Sequence, residues 1–370
     1  MFKCFHKEEI KGTFKCTFGE EIIVYDKTNK IKNCKNIIKF DCSNNQLKSL
    51  PNIIKKMVNL KELNCSNNKL KTLYPQLDSL SNLEILNCSN NILKKIPSQF
   101  GNLINLKELC CSENNKIEYP PIPDGMELFY IEELIKTVYE TILPDSIGNL
   151  IKLKILKCHS NNWRSLPESI NNLINLEILD CHNNDLFAIP ITNLKKLKVL
   201  NCSNNDLYLD DLNILSNLEE LYCSNNRLKI LPDSLCSLTN LKILKCNNAF
   251  LLKLPESIGN LINLKELECD NNGIDKLPES ICSLTNLKIL NCSYNRLTKL
   301  PNSICNLINL EILNCSHNRL TELSNSICNL TNLKILNCCN NMLELLPPSI
   351  INLKNIDKFT FDDSLILCPQ

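Results

Sequence analysis

The sequence predicts an α/β solenoid: a horseshoe with a parallel β-sheet on its concave face and short 3₁₀ or helical segments on its convex side. Three observations carry this expectation. Thirteen cysteines (42, 65, 88, 111, 158, 181, 202, 223, 246, 269, 292, 315 and 338) recur mostly every 23 residues, with two steps of 21 and one of 47. A period in that range marks stacked repeats rather than one globular core. Each of these cysteines lies in the frame Leu-x-x-Leu-x-Cys-x-x-Asn-x-Leu, and most are followed by a return half close to Leu-Pro-x-Ser-Ile-x-x-Leu-x-Asn-Leu.

The strand comes from the first half. In the stretch from Leu60 to Leu73, Leu63 and Cys65 alternate with Glu62, Asn64 and Ser66, the period of two of a strand with one buried face. Successive strands then lie side by side, about 4.8 Å apart. Asn68 makes the following turn possible, because the chain bends inward there and leaves backbone groups without ladder partners. Each such group costs about 1–3 kcal/mol if unsatisfied, and an Asn side chain offers two donors and an acceptor. The position is Asn in every repeat but one, where Ala249 stands and Asn248 is the nearest substitute. In the return half, Ile170, Leu173 and Leu176 recur every three residues, which suits a 3₁₀ turn, and Pro167 ends the strand segment. A second cysteine set, Cys236, Cys282, Cys305 and Cys328, shares its slot with Gly148 and Gly259, so the slot selects for small size.

Residues 1–36 lack the frame. Phe14, Cys16 and Phe18 alternate with polar residues, Gly19-Glu20 reads as a turn, and Ile22 to Tyr25 is strand-like. This predicts a hairpin capping the first repeat's open end. The solenoid is expected over 37–364, about 15 repeats, with a tail at 365–370. In the last repeat Ile356, Phe359 and Phe361 keep the register while Asp362, Asp363 and Ser364 replace the consensus. The long step from Cys111 to Cys158 contains a break at Tyr119 to Gly125 and one apolar helical face at Ile131, Leu134, Ile135, Val138 and Ile142. Residues 115–142 are therefore read as a degenerate repeat with a longer helix, the alternative being a protruding element that meets a partner.

Composition excludes several function classes. With 41 basic and 40 acidic residues the net charge is +1, which removes the electrostatic case for nucleic acid or an anionic membrane. The charged start, Met1 to Glu9, does not fit a signal peptide, and no run approaches the roughly 18 apolar residues of a span. The 23 cysteines follow the repeat rather than any CxxC pairing, so disulfides and tetrahedral zinc fit poorly. They read as reduced, compact core residues of a soluble cytoplasmic monomer.

The two half-repeat motifs together resemble the leucine-rich repeat family over about residues 37–364, with Cys in place of the third strand Leu. The Leu-Pro-x-Ser-Ile half is similar to that of intracellular, Ras-group and scaffold-type members. The bias toward Asn, Lys and Ile resembles the repeat proteins of amoeba-infecting giant DNA viruses, which would place the chain in host cytoplasm; an AT-rich protist genome fits equally. The resemblance implies a curved protein-binding arc.

Function is then expected in the exposed residues that alternate with the core positions. In most repeats these are Asn and Ser, but Lys157, His159, Asp180, His182, Tyr222, Lys245, Glu268 and Asp270 form a mixed-charge stripe, with Trp163 close behind His159. Charged and aromatic groups on a rigid face suit a protein-binding site, with Tyr and Trp as anchors; solvated strand residues of no function are the plainer alternative. His159 and His182 fall on adjacent strands, which permits a shared metal, but the sequence offers no evident third ligand and no metal or cofactor is expected. A hydrolytic site on His182 and Asp180 lacks a placed nucleophile, and seven glycines leave little room for a phosphate-binding loop. The expected function is a non-catalytic module that binds another protein on its concave face. Alternatives are an effector or adaptor of a ubiquitin ligase system, for which only Cys368 lies near the end, and a structural component of a particle.

Overall fold

The computed structural model describes residues 34–73, 77, 80–114 and 143–362, together with the backbone of 14–18, 21–25 and 366–367. The chain divides into two compact units, Met1–Leu194 and Lys195–Gln370.

The first unit carries six parallel three-residue strands: β3 (Lys39–Asp41), β4 (Glu62–Asn64), β5 (Ile85–Asn87), β6 (Glu108–Cys110), β7 (Ile155–Lys157) and β8 (Ile178–Asp180). Each pairs with the next in strict register. Ahead of them β1 (Phe14–Phe18) pairs antiparallel with both β2 (Glu21–Tyr25) and β3, so the edge of β3 is covered. An exposed strand edge is a template for unwanted pairing; the hairpin shields that of β3, with β2 as the terminal strand.

The second unit carries eight parallel strands: β9 (Val199–Asn201), β10 (Glu220–Tyr222), β11 (Ile243–Lys245), β12 (Glu266–Glu268), β13 (Ile289–Asn291), β14 (Ile312–Asn314), β15 (Ile335–Asn337) and, past the short β16 (Leu345–Leu346), β17 (Lys358–Thr360). They too pair in sequence order, β17 directly on β15, while β16 pairs with β18 (Ile366–Leu367). Each unit is a run of solenoid repeats, as the sequence pattern predicts.

Each of the thirteen strands β3 to β15 buries its middle residue, and the cysteine that follows is fully buried in all thirteen repeats. Several of these thiols donate to the carbonyl of the next strand, as Cys202 Sγ does to Tyr222 O at 3.3 Å and Cys246 Sγ to Glu268 O at 3.4 Å. Burial pushes the ladder thiols far up, Cys202 to about 12 and Cys65 and Cys246 well above the ordinary range. Thiolate is the nucleophile and the metal ligand, so these groups are inert packing atoms at neutral pH.

The buried asparagines do what the turn demands. Asn68 Nδ2 donates to Cys42 O, Cys65 O and Ser66 O at 3.0–3.1 Å, and its Oδ1 accepts from Asn45 N and Leu47 N of the preceding repeat. One side chain thus joins two turns. Asn248 does not replace the missing member: it is exposed, and its amide donates sideways to Asn225 Oδ1. Ala249 is simply buried, and the bonds that Asn272 Oδ1 makes to Ala249 N and Leu251 N have no side-chain counterpart one repeat earlier. The residue before each ladder asparagine has positive φ, from Asn44 to Asn340. Asn favours that left-handed region, which explains why the motif is so often Asn-Asn.

The return halves form 3₁₀ turns, among them Asp145–Asn149, Glu168–Asn172, Asp233–Ser237 and Glu279–Ser283, each preceded by an extended proline. The small slot has a geometric cause. A Cβ on Gly148 would lie 2.6 Å from Ser169 O, and one on Gly101 2.6 Å from Ser146 Cβ. Beyond these turns runs a second asparagine ladder whose role the sequence did not reveal. Asn105, Asn175, Asn263 and Asn309 each donate Nδ2 to a backbone carbonyl of the preceding repeat, at 2.8–2.9 Å.

Two boundaries differ in detail from the sequence reading. Strand β6 pairs directly with β7, Cys110 opposite Lys157, and Asn161 Oδ1 accepts from Asn114 N at 2.9 Å. The 47-residue step is therefore one step of the ladder, and no repeat strand stands between; residues 115–142 themselves lie outside the described residues, as do the tail's side chains. At the closing repeat Asp362 takes over from asparagine, its carboxylate accepting from Asn340 N at 2.7 Å and Asn341 N at 3.4 Å. Phe359 and Phe361 pack beside it with ring centroids 4.8 Å apart.

Candidate functional site

The exposed strand positions fall into two separate clusters, one in each unit. In the first, β7 and β8 place Lys157 beside Asp180. Two residues further along, His159 and His182 stack, ring centroids 4.2 Å apart and planes 16° from parallel. Both Nδ1 atoms are engaged: His182 Nδ1 lies 2.6 Å from Asp180 Oδ1, and His159 Nδ1 lies 3.1 Å from Ser160 Oγ. Partial burial and the neighbouring His182 hold His159 below the usual histidine range. Burial raises the Asp180 carboxyl, but the His182 hydrogen bond and the charges of both rings outweigh it and leave the group lowered. One ligand atom from each of His159, Asp180 and His182 lies within 4.8 Å of the others. Asp180, bonded to Nδ1 of His182 two residues along the same strand face, is the third potential donor that the sequence reading did not identify.

Trp163 does not join them. It occupies the leucine slot two residues after Asn161 and is buried, with 4% of its surface exposed, so it is a core residue and not a partner anchor. Its backbone N–H donates to Asn184 Oδ1 at 3.1 Å.

In the second unit Tyr222, Lys245, Glu268 and Asn291 form one row across β10 to β13. Lys245 Nζ is bracketed by Glu266 Oε1 at 2.6 Å and Glu268 Oε1 at 3.1 Å. Tyr222 donates its hydroxyl to Glu220 Oε2 at 2.8 Å; burial and that hydrogen bond push the phenol up to about 12. Asp270 accepts from Asn291 Nδ2 at 2.9 Å. Burial raises the carboxyls of Glu268 and Asp270, and Lys245 only partly offsets it. Burial lowers the Lys245 ammonium, but its two glutamate hydrogen bonds more than compensate and the net direction is upward. Glu220 and Glu266, the first residues of their strands, were missed in the sequence because the strand-start positions hold a mixture of Ile, Val, Glu and Lys, such as Glu62 and Glu108, and so do not stand out. With them the cluster holds four carboxylates and one ammonium, Glu266 and Glu268 on Lys245 and Glu220 on Tyr222.

Two further exposed aromatics also escaped the sequence reading. Tyr294 and His317 stack in adjacent repeats, centroids 3.9 Å apart, both at the positive-φ turn position. Asn340 Nδ2 lies 3.1 Å from His317 Nε2. Their signal was the replacement of the usual Asn by a ring at this slot.

No described helix is long and apolar enough to cross a membrane. Family models agree with the repeat pattern: a leucine-rich repeat region matches residues 136–248 and 222–316, paired leucine-rich repeats match 35–79 and 81–123, and a single repeat matches 309–330. Among curated proteins no match is found. Among solved structures, a leucine-rich repeat protein of Leptospira interrogans is similar at 33% identity and a TM-score of 0.78, over 89% of this chain and 79% of that one. The functional domain of InlJ from Listeria monocytogenes, which includes a cysteine ladder, shares the fold at 24% identity and a TM-score of 0.69, over 87% of this chain and 62% of that one. A plant peptide hormone receptor, RGFR1, solved in complex with RGF2, shares it at 23% identity and a TM-score of 0.60, over 90% and 62%. The buried strand leucines, the cysteine and asparagine ladders, the 3₁₀ returns and these matches agree: the chain belongs to the leucine-rich repeat family.

Proposed function

We propose that the chain is a non-catalytic binding module that docks a basic protein segment on the exposed strand face of its second unit. The observation that carries this reading is the acidic set beside Lys245: Glu266 and Glu268 bonded to it, Asp270 within reach of its charge, and Glu220 on the neighbouring Tyr222 hydroxyl. Local charge is strongly negative although the whole chain is nearly neutral. Burial already works against ionisation of Glu268 and Asp270, so a lysine or arginine brought to them relieves an existing cost. Tyr222 beside them supplies a rigid aromatic contact of the kind enriched at hot spots.

The test is direct binding of Lys/Arg-rich and Glu/Asp-rich peptide pools to the purified chain. Basic peptides are expected to bind, and the Glu268→Gln, Asp270→Asn double variant to bind them at least about 10-fold more weakly, from loss of roughly 1.4 kcal/mol or more. Undiminished binding by the double variant, or equal binding of both pools, sinks the reading.

A further inference from the structure

We propose, resting on the basic-segment reading above, that the docked partner segment also carries an apolar residue about three positions beyond its basic one, seated on an exposed patch of Tyr208, Ile230, Phe250 and Leu252. These four side chains are 54–65% exposed and stand just past the ends of β9, β10 and β11, in three successive repeats. The next three repeats are polar at the places of Leu252 and Ile230, with Asp275 and Lys276, Thr298 and Lys299, and Thr321 and Glu322. Single apolar side chains on a surface are ordinary, but a contiguous group marks a contact site. Backbone bonds hold this group together. Lys229 N–H donates to Ala249 O, next to Phe250, and Leu252 N–H donates to Lys229 O, next to Ile230, both at 3.2 Å.

The turn that presents Phe250 is costly to the fold. Phe250 has a φ of 58°, in the left-handed region that bulky L-residues avoid. Ala249 before it is the one ladder position without asparagine, so this turn also lacks the side-chain bonds that Asn272 makes one repeat later. Neither feature stabilises the chain, and strain kept at an exposed ring points to a contact outside it. Position then links the patch to the acidic cluster. Asp270 O accepts from Asn248 N–H at 3.0 Å, and Phe250 follows Asn248 by two residues, a step of at most about 7 Å. From the same turn as Asp270, Gly273 meets the patch directly: a Cβ built on it would lie 3.3 Å from Leu252 Cδ2. An extended segment advances about 3.4 Å per residue. With a lysine or arginine on Glu268 and Asp270, its side chain about three residues further on therefore reaches Phe250 and Leu252. The complementary partner is a basic segment with one apolar anchor, and a purely basic one leaves the patch in water.

The experiment titrates two labelled peptides into the full chain, each with a central Lys-Arg pair and differing only in Leu or Ser three residues after it. The Leu peptide is expected to bind wild type at least about 10-fold more tightly than the Ser peptide, from burial of one apolar side chain. That advantage should vanish in the Phe250→Asn, Leu252→Thr variant and persist in Ile308→Thr, which changes an exposed isoleucine outside the patch. Because Asn tolerates positive φ, Phe250→Asn alone should melt at or above the wild-type temperature, which separates lost docking from lost folding. In wild type, the Leu252 methyl NMR signals should move with the Leu peptide and stay in place with the Ser peptide, a readout that needs no variant. Equal affinity of wild type for the two peptides, or an advantage that survives the patch variant, overturns this inference and leaves the acidic cluster as a site. Binding of neither peptide overturns both readings. A wild-type dimer that the patch variant loses would assign the patch to a second copy of the chain and overturn the inference as well.

Discussion

Asn295 shows how much one side chain does in this fold. Its amide donates to Cys269 O, Cys292 O and Ser293 O at 3.0–3.2 Å, and its carbonyl oxygen accepts from Ile274 N. All of this happens out of water, where each orphaned group costs about 1–3 kcal/mol. Asn295→Leu should therefore cost about 3 kcal/mol or more and lower the melting temperature by many degrees. Asn291→Ser, at a half-buried position on the strand face, should cost under about 1 kcal/mol. Thermal unfolding of the two variants side by side decides it; equal melting temperatures would remove the ladder from the account. The sequence made Asn295 readable because the same residue type stands at the same phase in nearly every repeat. It misled at Trp163, where an aromatic near two histidines looked like a surface anchor but sits in the leucine slot and is buried. It showed rings at Tyr294 and His317 in place of the usual Asn but not their stack, because a stack across repeats depends on rotamers that no spacing encodes.

At the level of the strand-and-turn element, the cysteine is the part with a pH signature. In the unfolded chain a thiol ionises near about pH 8.5, whereas burial keeps the folded ladder protonated, Cys202 up to about 12. The folded pKa is raised, so the stabilisation is fully present below the unfolded value and is lost as pH rises toward the folded one. Each thiol contributes up to about 1.4 kcal/mol per pH unit in that window, and the ladder multiplies it. The melting temperature should be nearly flat from about pH 6 to 8 and fall steeply between about pH 9 and 11. A flat profile through that upper range would contradict burial of the ladder. The strand period, the 3₁₀ return and the small slot were all legible from the sequence, since each follows from residue size and alternation. The direct pairing of β6 with β7 across 47 residues was not: the length of the step matched two periods, and only hydrogen-bond register distinguishes an added repeat from an insertion.

On the scale of the molecule, near-neutral total charge hides an uneven distribution. Most cross-repeat ion pairs, such as Lys107 with Glu84 and Lys334 with Glu311, are solvent-exposed and contribute little to stability. The cluster around Lys245 is different, because its acids outnumber its base and are half-buried. Net charge could not disclose an acidic patch, which required knowing that β10 to β12 bring Glu220, Glu266 and Glu268 onto one face. The family gives the scaffold, and the residues between the ladders give the specificity. The most direct test of that claim is the salt dependence of basic-peptide affinity. Raising ionic strength from about 0.05 to 0.5 M should weaken binding to the wild type steeply, because screening acts over about 10 Å or less, and the Glu268→Gln, Asp270→Asn variant should show a markedly shallower slope. Identical slopes for the two proteins would contradict the account.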